Sequence, residues 1–104
     1  MLIPINGDKW EFIVLDSEAF IRRHGDGNSG ITIPKDKKVY LDRESLDLSL
    51  VVHEVTHVYF YYLCLESASL SAEQMEEIAC ELMEKHGQHI FKLSRKIYKA
   101  LKDE

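Results

Sequence analysis

The chain has 104 residues, of which 45% are hydrophobic and 30% charged, the proportions of a folded globular protein with room for one core. Its net charge of −5 argues against nucleic acid as the main partner, because phosphate binding asks for a basic surface. No apolar run is long enough to span a bilayer, and the N-terminus lacks the basic and apolar regions of a signal peptide, so a cytoplasmic protein without membrane contact is expected.

In chain order, KWEFIVLD (9–16) is short, aromatic and β-branched, which predicts a strand with Trp10 as a packing residue. SEAFIRRHG (17–25) places Ser17 at a cap position and Gly25 at a stop, which predicts a short helix. HGDGNSG (24–30) concentrates glycine with Asp26, Asn28 and Ser29 and reads as a mobile surface loop able to flank a cleft. GITIP (30–34) and KVYLD (38–42) alternate apolar and polar residues around a short polar link, the pattern of a hairpin.

From Arg43 to about Leu65 the run is apolar on nearly every side, which suits a central helix covered on more than one face. Its aromatic residues in VYFYYL are expected in the core. A second helix opens at Ser71, carries Met75, Ile78, Ala79, Leu82 and His86 at helical spacing, and is expected to stop at Gly87. His86 then sits at a helix end, in a capping role. The tail from His89 forms a third, basic helix with Ile90, Leu93, Ile97 and Leu101 on one stripe and its lysines in solvent. His24 and His89 are expected to be exposed, and Cys64 and Cys80, too few for a disulfide framework, to be reduced and buried.

His53, Glu54 and His57 stand inside the apolar central run, where each unpaired polar group would cost a few kcal/mol of desolvation. Together they spell HExxH. Four residues apart on a helix, both imidazoles can reach one zinc ion, and Glu54 beside the first can act as general base. Zinc suits the chemistry because it lowers the pKa of a bound water and polarises a carbonyl under attack. A catalytic zinc needs a third protein ligand, and Glu73, Glu76, Glu77, Glu81 and Glu84 all follow on the next helix. Helical periodicity favours Glu76, at the edge of the apolar stripe; Glu77 lies nearly opposite that stripe.

HExxH followed by Glu77-Ile78-Ala79-Cys80-Glu81 resembles the gluzincin arrangement of thermolysin-like peptidases. The short chain is more similar to the small prophage-encoded zinc peptidase-like proteins related to the ImmA/IrrE group. The resemblance implies that Glu77 is the third ligand, that Glu81 supports a ligating histidine from outside the coordination sphere, and that the reaction is hydrolysis of a peptide or protein substrate. It also implies an α+β, zincin-like fold: one domain over 1–104, with a small antiparallel sheet and one short helix in 1–42 and helices in 43–104. A sheet edge would then pair with an extended substrate. The second lobe and oxyanion donor of thermolysin-like enzymes have no counterpart here; His24, Tyr40 and the central tyrosines are the conceivable substitutes. Two other readings stand beside this one: a zinc-stabilised regulatory module of weak activity, and a metal-free domain with a satisfied polar core.

Overall fold

The structure, a computed structural model, describes residues 1–63 and 70–104. In chain order the elements are β1 (Leu2–Ile5), β2 (Asp8–Leu15), α1 (Ser17–His24), β3 (Gly30–Ile33), β4 (Lys38–Asp42), α2 (Leu48–Tyr62) and α3 (Ala72–Lys102). The class is α+β, as expected, but the sheet is mixed. Its order is β1-β2-β4-β3; the two outer pairings are antiparallel and the central one, β2 with β4, is parallel. The reason is β3: residues 16–29, α1 included, leave and re-enter the sheet at one end, where Leu15 pairs with Asp42 and Gly30 with Leu41, and β3 then carries the chain back so that β4 runs in the direction of β2.

The β1–β2 hairpin turns on Asn6 and Gly7, with φ of 51° and 85°, the pair of left-handed residues that a tight two-residue hairpin needs. Side chains alternate across the strands. Trp10, Phe12, Val39 and Leu41 join Val51, Val55 and Val58 of α2 and Leu82, Ile90, Ile97 and Leu101 of α3 in one buried cluster. Each large apolar side chain taken from water contributes roughly 1.5–3 kcal/mol. Phe20 and Tyr40, buried outside that cluster, pack around His24, so α1 covers the opposite side of the sheet.

Several helix boundaries differ from expectation. The N-cap of α1 is Asp16, and Ser17 lies inside the first turn, where its hydroxyl donates to Asp42. Arg43–Ser45 form a separate 3-10 turn capped by Asp42, and α2 begins after Asp47, whose carboxylate accepts from the Leu50 amide. The expected end near Leu65 lies outside the described residues, as does Cys64. Cys80 is exposed, not buried.

The two predicted C-terminal helices are a single helix, α3, with a Ser71–Gln74 capping box at its start. Gly87 does not end it; Gly87 is a buried residue at mid-helix. His86 consequently caps nothing and packs its ring 5.7 Å from that of Tyr59 on α2, with exposed His89 at 6.1 Å. Glycine here costs about 1 kcal/mol relative to alanine, which the buried stripe of Ile90, Ile97 and Leu101 outweighs. Among the described residues no helix is long and apolar enough to cross a membrane.

Candidate functional site

The site forms where α2 passes under β3. One turn of helix brings His53 and His57 together, their Nε2 atoms 3.2 Å apart and their rings at 74°. Both rings are exposed. Glu54, on the neighbouring side of the helix, is 3% exposed. Its Oε1 accepts a 2.8 Å hydrogen bond from the Thr32 hydroxyl of β3, and its Oε2 lies 3.9 Å from His53 Nε2. Gly30 makes this approach possible: a Cβ there would stand 2.9 Å from Glu54 Oε2. The strand and helix are thus sized to one another around a carboxylate.

Two depressions flank the histidines. One, of 450 Å³, is lined by Ser49, Val52, His53, Thr56, His57 and Phe60. The other lies under the loop Gly27–Gly30 and reaches Ser49, His53 and Glu54, so the glycine-rich segment borders the site as its composition suggested. No residue of α3 lines either depression. Glu76 and Glu77 are exposed on the first turns of α3. Glu81 is exposed as well and borders a separate hollow with Leu63, Ile78, Leu82, Lys85 and His86. Among the described residues no three His, Cys, Asp or Glu side chains gather closely enough to hold an ion. His53 and His57 thus form a pair with the Glu54 carboxylate 3.9 Å from one of them, and Glu77 and Glu81 do not join it.

Tested against zinc, the pair fits two coordination positions. Two nitrogens on a tetrahedral zinc, each at about 2.0–2.1 Å, lie roughly 3.3 Å apart, close to the spacing of these two. Glu54 is a buried carboxylate with a single hydroxyl donor and a neighbouring imidazole, an arrangement completed by a nearby cation. Among the described residues none supplies the third position.

His24 and Tyr40, suggested as oxyanion donors, are committed elsewhere. The His24 ring lies between Phe20, at 5.0 Å, and Tyr40, at 4.7 Å, and is half-buried where exposure was expected. Burial and the adjacent Arg23 charge lower its pKa. The Tyr40 hydroxyl accepts from Arg23 at 2.9 Å. Sequence reasoning missed Thr32 and Gly30. The signal for Thr32 was its polarity between Ile31 and Ile33, but its partner depends on how β3 is laid against α2, which no local pattern encodes.

Comparison of the chain with protein-family models, curated proteins and solved structures returns no match.

Proposed function

We propose that the protein is a zinc-dependent peptide hydrolase in which His53 and His57 hold the metal and Glu54 is the general base. The observation that carries this reading is the convergence of the two Nε2 atoms, 3.2 Å apart, beside a buried carboxylate with room for substrate on both sides. Zinc, when bound, supplies Lewis acidity toward the scissile carbonyl and acidifies water. Glu54 takes the proton from water and delivers it to the leaving amine, a transfer for which burial and the Thr32 hydrogen bond hold its carboxylate in one orientation. β3 is an edge strand next to Glu54, which supports capture of an extended peptide by strand addition. By resemblance the third ligand is Glu77; it would reach the histidines only if the first turns of α3 swing toward α2.

A second reading has its own support. The 3.2 Å contact is also a hydrogen bond between a protonated and an unprotonated ring nitrogen, and Glu54 already has Thr32 as a donor, so the polar group closes on itself without metal. A third, a zinc-stabilised module of weak turnover, rests on two of the candidate oxyanion donors, His24 and Tyr40, being committed to other contacts.

Metal content and hydrolysis of a mixed peptide library separate the three. The enzyme reading expects close to one zinc per chain, lost in His53→Ala and His57→Ala. Glu54→Gln should retain zinc while its hydrolysis falls by about 100-fold or more. Wild type that cannot be loaded with zinc supports the metal-free domain. Zinc without Glu54-dependent hydrolysis supports the module. Glu77→Ala that leaves zinc affinity unchanged removes the resemblance-based ligand.

A further inference from the structure

The outer face of α3 carries an apolar line with no partner among the described residues. Met83 is 63% exposed and Phe91 48%. Gly87 stands between them, and residues four apart share a helix face. The Met83 side chain folds over Gly87, its terminal carbon 3.2 Å from where a Cβ would be. With Gln88, Lys92 and Arg95 these residues border a groove of 610 Å³, larger than the 450 Å³ depression beside the histidines.

Gly87 is also the midpoint of α3, with fifteen helical residues on each side, 72–86 and 88–102. Before it stand five glutamates and one lysine; after it stand five lysines and arginines and no acid. The helix macrodipole favours acids at the start and bases at the end, but its effect fades beyond the terminal turns. Glu81, Glu84 and Lys92 lie near the middle, so the dipole does not account for their order. A surface whose charge reverses about its own centre is complementary to itself under a two-fold rotation, the condition for an isologous interface.

We infer that α3 pairs antiparallel with α3 of a second copy, the two-fold axis passing at Gly87. Met83 and Phe91 are each four residues from that axis, so Met83 of one copy packs on Phe91 of the other. Glu73 and Lys102 are nearly equidistant from it, so the acidic half of each helix lies beside the basic half of its mate. Gly87 lets the two backbones approach once the flexible Met83 side chain turns onto the second copy.

Sedimentation velocity over a concentration series tests the pairing. Wild type should form a dimer. Phe91→Glu should be monomeric, as should a double variant at two exposed positions, Glu73→Lys with Glu84→Lys, with helical circular dichroism retained in both. For the register, Cys64→Ser and Cys80→Ser provide a thiol-free background. There, oxidation should cross-link the Met83→Cys, Phe91→Cys double variant, and neither single variant, because like residues are about 12 Å apart along an antiparallel pair. A monomeric wild type, a dimer indifferent to both sets of substitutions, or cross-linking of either single variant overturns the inference.

Discussion

Tyr62 ties the end of α2 to the first hairpin through one hydroxyl. It accepts from Trp10 Nε1 at 2.8 Å and donates to Asp8 Oδ2 at 2.5 Å, with the Ile5 carbonyl at 3.2 Å. Burial, reinforced by the Asp8 hydrogen bond, pushes the Tyr62 pKa up to about 12. Removing this hydroxyl leaves the indole N–H of fully buried Trp10 without its acceptor, a loss of about 1–3 kcal/mol. Tyr62→Phe should therefore lower the urea midpoint by that equivalent at an unchanged m-value. At His24 the stability term depends on acid. Its Nε2 is buried without a partner, and its folded pKa lies below the ordinary 6.5, so the unfolded chain binds this proton more readily. The contribution of neutral His24 is complete above about pH 6.5 and is lost as pH falls from there toward the lowered folded value. Urea titrations at about pH 7.5 and about pH 5.5 should show a smaller acid loss for His24→Phe than for wild type; equal losses would mean that the folded protein tolerates the charge.

Where β3 meets α2, the fit between two elements rests on one missing methyl. A Cβ at Gly30 would stand 2.9 Å from Oε2 and 3.0 Å from Cδ of Glu54, a carboxyl held by Thr32. Gly30→Ala should cost about 1–3 kcal/mol of overpacking, read by urea unfolding. It should also depress hydrolysis under the proposed reading while zinc content stays intact, because the carboxylate shifts and the two exposed imidazoles do not. Pairings of this kind explain what could be read in advance. His53 and His57 were legible as a pair because helical spacing alone puts them side by side. The hairpin from Gly30 to Asp42 and the strand and helix before it were equally local. Asn6-Gly7 was a readable turn signal that marked an unanticipated hairpin. The parallel pairing of β2 with β4, the Thr32–Glu54 bond and the exposed placement of Glu77 depend on how distant segments meet. Gly87 misled for the same reason: its local preference to end a helix is worth about 1 kcal/mol, and side chains far away in sequence overrule it.

Across the whole molecule, the parallel pair at the centre of the sheet also sets the order of assembly. Phe12 and Val39 are partners 27 positions apart (39 − 12), whereas the flanking pairings are hairpins between neighbouring strands. Closing that long segment loses chain entropy before the β2–β4 contacts return any free energy, so the hairpins can flicker into existence in microseconds without committing the chain. The rate-limiting barrier should be crossed when β2 and β4 register against the apolar side of α2. Val39→Ala is accordingly expected to slow refolding, with most of its destabilisation appearing in the folding limb of a stopped-flow chevron. Ile5→Ala, on the peripheral β1, should mainly accelerate unfolding. The reverse partition would mean that the N-terminal hairpin nucleates the protein and the central strands join late.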